Sequence, residues 1–260
     1  MKKYLVIGNP IKHSLSPELH NHWIKENNLK AVYKKKQIKQ NELKGIIEEL
    51  KDGTVHGINV TVPYKQLIIP YLDELSPLAE KSQSVNTILK KNNKIFGENT
   101  DVAGFQSALN HISYNINNKK VFILGAGGVV PSIIIALKNL NVSKIFLSNR
   151  TKSKAEDLKK IDPNLEILEW GHTTDFDMII NATSLGLKNE DEIKLDYNKI
   201  GKDKLFYDVI YNPSKTNFLL KGEQLGNKIE NGKMMFIYQA QLAFKTWHNI
   251  LPKIDNKLLD

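Results

Sequence analysis

Apolar positions in the first hundred residues fall into short continuous runs separated by stretches of helical period. Tyr4–Ile7 is one such run, closed by Gly8-Asn9-Pro10, and reads as a buried strand. A polar loop follows, then a predicted helix over Pro17–Asn27 entered by Ser16 as N-cap with Pro17 at N1. A strand at Ala31–Gln37, a helix at Asn41–Lys51 ending on Asp52-Gly53, and a strand at Ile58–Val62 come next. Val85–Lys90 and Lys94–Gly97, joined across Asn92-Asn93, form a predicted β-hairpin. The alternation implies a largely parallel sheet, with the hairpin a local departure.

A boundary is expected near Asn99–Ala103, where Thr100 or Asp101 would cap a helix running to about His111. The asparagine-rich stretch Ser113–Lys120 then leads to Val121–Leu124, a short apolar run suited to a buried parallel strand. Alternation continues through a helix at Gly128–Leu140, a strand at Lys144–Ser148 and a helix at Lys152–Lys160. Strands at Glu166–Trp170, Met178–Ala182 and Leu205–Ile210 and a helix at Lys215–Leu225 complete a doubly wound pattern. A long amphipathic helix, Met234–Ile250, is stopped by Pro252.

Composition narrows the class. A 260-residue chain with 41% hydrophobic and 25% charged residues is an ordinary globular protein with room for two domains. The net charge of +9 is carried by scattered lysines, which read as solvated faces and not as a nucleic-acid footprint. No cysteine is present, which removes disulfides, thiolate metal sites and thiol nucleophiles and fits the cytoplasm. His20 and His22 are two apart and diverge on a helix, and no H-E-x-x-H occurs, so no metal is expected. No apolar run reaches the ~18 residues of a membrane span, and the short run after Lys2-Lys3 is a strand, not a secretory leader.

Chemistry enters at the turn Gly125-Ala126-Gly127-Gly128, between an apolar strand and a helix. Gly125 permits the tight turn and Gly127 lets the backbone approach a pyrophosphate at the helix N-terminus. The spacing is G-x-G-G, with Val130 where a third glycine would stand. An NAD site usually carries Asp or Glu at the end of the next strand, to accept from the ribose 2′-OH. This chain has Asn149-Arg150-Thr151 there, followed by Lys154. A carboxylate would repel a 2′-phosphate, whereas Arg150 can bind one through two parallel hydrogen bonds, so NADP is the expected cofactor.

Motifs in order along nearly the whole chain make it resemble the shikimate dehydrogenases. They are Gly8–Pro17 with Ser14 and Ser16, Asn59-Val60-Thr61-Val62-Pro63-Tyr64-Lys65, Asn86-Thr87, Asn99-Thr100-Asp101 and the Gly125–Gly128 turn. Asn149-Arg150-Thr151, Asn181-Ala182-Thr183-Ser184, Tyr207–Pro213 and Asn231-Gly232 with Gln239 complete the set. The resemblance implies NADPH-dependent reduction of 3-dehydroshikimate, a small ring with a carboxylate and hydroxyls, in the route to aromatic amino acids. Lys65 would be the acid that protonates the nascent alkoxide, a task open to a lysine stripped of part of its hydration, with Asp101 orienting it and binding a ring hydroxyl. Ser14 and Ser16 would bind the carboxylate, Thr61, Asn86 and Gln239 ring oxygens, Asn59 would be a further substrate-binding residue, and Tyr211 would close the carboxylate side. Gly125, Ala126, Gly127, Gly128, Val129, Asn149, Arg150, Thr151, Lys154, Val209 and Gly232 would hold the cofactor.

The implied fold is an N-terminal α/β substrate domain, 1–101, joined to a Rossmann-like doubly wound NADP domain, 102–233, with the site in the cleft between them. Gln239 requires the last helix, about 234–260, to return to the first domain. Lys154 stands where many relatives carry arginine, and Val129-Val130-Pro131 replaces smaller residues, a departure that bears on cofactor affinity. Two alternatives remain open at this level: a quinate/shikimate dehydrogenase, and a non-catalytic metabolite sensor. A homodimer is also left open.

Overall fold

The computed structural model describes residues 1–255, which divide into two compact units. The first holds residues 1–104 and the chain from Ile237 onward; the second is Phe105–Phe236.

In the first unit β1 (Lys2–Gly8) leads to α1 (Ser16–Glu26), β2 (Ala31–Gln37), α2 (Leu43–Lys51) and β3 (Gly57–Val60). Then come β4 (Glu74–Leu75), α3 (Pro77–Ser82), β5 (Thr87–Lys91), β6 (Lys94–Glu98) and α4 (Asp101–His111), whose last residues belong to the second unit. The six strands lie in the order β2-β1-β3-β5-β6-β4. β1 is parallel to β2 and β3, while β5 and β6 form the expected antiparallel hairpin, with Asn92 and Asn93 in the left-handed region at its turn. Both faces of β1 are covered, which is why its sequence is a continuous apolar run. Leu5 and Ile7 join the cluster of Ile46, Ile47, Leu50 and Ile58 on one side. Tyr4 turns the other way, against Trp247 and His248.

The second unit contains β7 (Lys120–Leu124), α5 (Val130–Asn139), β8 (Lys144–Ser148), α6 (Lys152–Asp157) and β9 (Glu166–Leu168). It continues with β10 (Met178–Asn181), β11 (Leu205–Asp208), α7 (Asn217–Gln224) and β12 (Lys228–Glu230). α8 (Lys233–His248) begins here and belongs to the first unit from Ile237. All six strands are parallel, in the order β12-β11-β10-β7-β8-β9. That is the doubly wound arrangement, and the order reverses at β7 and β10. Phe122, Phe176, Ile179, Phe206 and Phe218 form the core of one face.

Several local expectations need correction. Ser16 does not cap α1: the cap position is Leu15, no side chain fills it, and Ser16 is the first helical residue. Neither Thr100 nor Asp101 caps α4, because Asn99 Oδ1 accepts from the backbone N–H of Asp101 (3.0 Å) and Val102 (3.2 Å). The last helix ends at His248, with Asn249 in the left-handed region (φ 55°) and its N–H on Lys245 O (2.8 Å), ahead of Pro252. The helix expected to about 260 therefore stops short, and 256–260 lie outside the described residues. The sequence pattern passed over β4, α3 and β12, which are short.

Candidate active site

Lys65 sits in the turn after β3. Buried Tyr64 pins that turn, donating through its hydroxyl to Ile38 O (2.6 Å) and through its N–H to Thr61 O (2.9 Å). The Lys65 carbonyl accepts from Val85 N (2.9 Å), which ties the turn to the approach of β5. Lys65 Nζ then donates to Asp101 Oδ2 at 2.6 Å, with side chains 11% and 5% exposed. Asp101 is available for this pair because Asn99 takes over the capping of α4.

Asn86 lies beside the pair. Its Nδ2 donates to Asp101 Oδ1 (3.0 Å), Thr100 Oγ1 (2.8 Å) and Gln239 Oε1 (3.3 Å). Its Oδ1 accepts from Thr100 N (2.8 Å), which fixes the amide's orientation. Lys65, Asp101, Asn86 and Gln239 are thus assembled from the turn after β3, the start of α4, the start of β5 and α8, all within the first unit.

Ser14, Ser16 and Thr61 lie on adjoining stretches. Asn9 N donates to Val62 O, and Thr61 N to Ile7 O, both at 2.9 Å, so the loop after β1 runs beside the turn after β3. All three side chains are half-buried. Ser14 Oγ accepts from Ser16 N (3.3 Å) and keeps its own proton to donate. The hydroxyls of Ser16 and Thr61 make no hydrogen bond among the described residues, leaving both open to a ligand. Asn59 differs: its Oδ1 accepts from Tyr33 Oη (2.7 Å) and its Nδ2 donates to Asn86 O (2.9 Å) and Thr87 Oγ1 (3.1 Å). Both ends of that buried amide are engaged inside the unit. Sequence reasoning missed Tyr33 and Thr87 as parts of this cluster, because the cross-strand partner that engages each hydroxyl is set by the fold.

In the second unit Gly125 follows β7 where the strand order reverses. Its φ of +110° is open to glycine, and a Cβ there would lie 2.8 Å from Ala182 O. Ala126, Gly127, Gly128 and Val129 carry the chain to α5, with Val130 buried in the helix and Pro131 in its first turn. Gly232 packs so closely on Val209 that any side chain would overlap the Val209 carbonyl. Tyr211 stacks on Phe236, ring centroids 4.5 Å apart. At the end of β11, next to Val209, Asp208 is fully buried and accepts from Asn181 Nδ2, Thr216 Oγ1 and Ile210 N. Burial pushes its carboxyl up to about 6.

Beyond β8, Asn149 Nδ2 closes on Thr151 O (2.8 Å) and Lys152 is paired with Glu169 (2.7 Å). Arg150 and Lys154 are exposed and form no ion pair or side-chain hydrogen bond among the described residues. Two uncommitted cations around a tied-back Asn149, with no carboxylate on the strand end, fit a 2′-phosphate. Among the described residues no cluster of His, Cys, Asp and Glu could hold a metal, and no helix is long and apolar enough to cross a membrane.

The chain matches known proteins along its whole length. A family model described as the shikimate dehydrogenase substrate binding domain matches residues 6–88, and one described as shikimate / quinate 5-dehydrogenase matches 106–194. A shikimate dehydrogenase (NADP+) from Pelagibacter ubique (strain HTCC1062) is 58% identical over 259 residues, covering 100% of this chain and 98% of its own. A shikimate dehydrogenase solved in complex with NADP+ superposes with a TM-score of 0.93 at 34% identity, over 100% of this chain and 95% of that one. Shikimate 5-dehydrogenase from Listeria monocytogenes, solved with shikimate and NAD, gives a TM-score of 0.90 at 29% identity, over 100% and 96%.

Proposed function

The chain belongs to the shikimate dehydrogenase family, and from that premise we infer that it catalyses the reversible, NADPH-dependent reduction of 3-dehydroshikimate to shikimate. The observation that carries this reading is the Lys65–Asp101 pair at 2.6 Å, held among half-buried hydroxyls and amides in the unit matched by the substrate-binding model.

NADPH, when bound, would supply the hydride by which the ring ketone becomes a secondary alcohol. Charge develops on the ketone oxygen as the carbon is reduced, and the Lys65 ammonium donates the proton that converts it to a hydroxyl. In the reverse direction the neutral amine accepts that proton. Asp101 holds the ammonium through Oδ2, and its carboxylate also accepts from a ring hydroxyl. Asn86 and Gln239 position ring oxygens, joined by Thr61 through its open hydroxyl. Ser14 and Ser16 donate to the substrate carboxylate. Asn59 acts on Asn86 and Thr87 and not on the substrate.

On the second unit, the Gly125–Val129 turn and α5 receive the pyrophosphate, Val209 and Gly232 border the cofactor, and Asn149, Thr151, Arg150 and Lys154 take the adenosine end. Residues 1–101 with the Gln239 helix form the substrate domain, and 102–233 the cofactor domain. All the proposed groups lie on one copy of the chain, so the chemistry needs no second. The compartment that fits a cysteine-free enzyme drawing on NADPH is the cytoplasm.

Initial-rate assay of the purified protein with shikimate or quinate, and with NADP or NAD, tests the reading. Rapid reduction of NADP by shikimate supports it. Binding of shikimate without turnover would favour a sensor, and turnover of quinate with NAD at a comparable rate would favour the broader enzyme.

A further inference from the structure

We propose that Tyr33 and Asn59 are positioning residues which, through Thr87 and Asn86, aim the Asp101 carboxylate and so fix the Lys65 ammonium; the proposal rests on the catalytic roles given above to that pair. Tyr33 is on β2 and Asn59 on β3, with β1 between them. The Tyr33 hydroxyl reaches across β1 to donate to Asn59 Oδ1 at 2.7 Å. That bond sets the direction of the amide, whose Nδ2 then faces Asn86 O (2.9 Å) and Thr87 Oγ1 (3.1 Å). The Thr87 hydroxyl, with a lone pair occupied, turns its proton to Asn86 Oδ1 (3.2 Å). Asn86 Oδ1 accepts from Thr100 N as well, so Asn86 Nδ2 faces Asp101 Oδ1 at 3.0 Å. Asp101 Oδ2 is left for Lys65 at 2.6 Å.

Every group before Lys65 in this series is at most 7% exposed, and the donors point one way from the tyrosine to the Asp101 carboxylate, which also accepts from Lys65. Reversing either amide would set donor against donor or acceptor against acceptor in a low-dielectric interior. The start of the chain is itself located: the Tyr33 ring stacks on His20 with centroids 4.2 Å apart and planes 3° from parallel. Tyr33 approaches no reacting atom, so its effect on chemistry passes through Asp101.

The test is a double-mutant cycle on the full chain, assayed for shikimate oxidation with NADP: Tyr33→Phe, Asp101→Asn, both together and the unaltered protein. Tyr33→Phe removes one oxygen and keeps the stacked ring. Its kcat is expected to fall about 3- to 10-fold, the kinetic equivalent of one neutral hydrogen bond, with the KM for NADP unchanged. In the Asp101→Asn background the same substitution should change kcat less than about twofold, because the group it acts through has already been altered. Thr87→Val should reproduce the Tyr33→Phe loss and Thr87→Ser should restore turnover, a pair that carries the test should Tyr33→Phe fail to fold. An unchanged kcat in Tyr33→Phe or Thr87→Val, or equal fold-losses in the two backgrounds, overturns the proposal. Lack of shikimate turnover by the unaltered protein would contradict the assigned activity instead, and is read before any ratio.

Discussion

Asn99 Oδ1 accepts the first two N–H groups of α4, and this frees the carboxylate of Asp101, two residues on, for Lys65 Nζ at 2.6 Å. A helix start beside a carboxylate paired with a lysine sets two claims on one acidic side chain, and here an amide meets the structural one. Asn99→Ala should therefore damage stability and activity together. It removes the acceptor of two buried N–H groups, costing about 1–3 kcal/mol for each left unsatisfied, and lets Asp101 drift toward the vacant capping role. Thermal unfolding and kcat measured on the one variant check this; a lower melting temperature with normal turnover would separate the two roles.

Arg150 should carry the choice of cofactor. Arg150→Ala is expected to weaken NADP binding by about 1.5–3 kcal/mol, the range of a hydrogen bond to a charged group, and to leave NAD nearly unchanged. Equilibrium titration with each dinucleotide reads the difference. Equal weakening of both would mean that Arg150 contacts a part the two cofactors share.

Ser16 and Ser14 should govern KM for shikimate more than kcat, since the substrate carboxylate keeps its charge as the distant ketone reacts. Each Ala variant is expected to lose about 1.5–3 kcal/mol of substrate binding. No side chain caps α1, so Ser16→Ala should keep its melting temperature. Unchanged KM in both variants contradicts the carboxylate assignment.

His20 should make the fold sensitive to acid. Buried against Tyr33, Trp23, Phe244 and Trp247, it finds no partner for either ring nitrogen among the described residues. Burial, and then the neighbouring His248, lower its pKa from 6.5 to about 3. His248, itself lowered to about 4 by burial and then Lys2, is a second imidazole beside it, and the Tyr33 phenol stays neutral at acid pH. Between about 3 and 6.5 the unfolded chain binds the proton that the folded chain refuses. Stability from neutral His20 is therefore full above pH 6.5 and is lost as pH falls. His20→Phe keeps an aromatic ring without the titration, so relative to the parent it should gain on the order of 2 kcal/mol between pH 6.5 and 5. Denaturant unfolding at the two pH values checks this, and parallel curves for the two proteins would contradict it.

The fold was legible wherever burial on both faces imposed an unbroken apolar run. Tyr4–Ile7 and Val121–Leu124 were read directly, and Asn92-Asn93 marked the hairpin turn because asparagine tolerates the left-handed region. Short elements escaped. β4 has two residues and β12 three, too few to display a period, although Ser76-Pro77 does announce α3: Ser76 Oγ accepts from Ala79 N (3.2 Å). Caps were misread where several polar residues compete near a helix start, as Asn99, Thr100 and Asp101 do, because only the tertiary partners of each decide which one caps. Asn59 is a like case: the sequence shows a polar amide on an apolar strand, and only the fold shows its two ends facing Tyr33 and Thr87.

The central claim, that Lys65 is the proton donor held by Asp101, is tested most directly by Lys65→Ala, measuring turnover and ligand binding on the same preparation. The account predicts shikimate and NADP affinities close to those of the parent and a kcat lower by about 10²–10⁴-fold, the usual contribution of a positioned acid. Near-normal turnover by the alanine variant would contradict it and assign the proton to another donor.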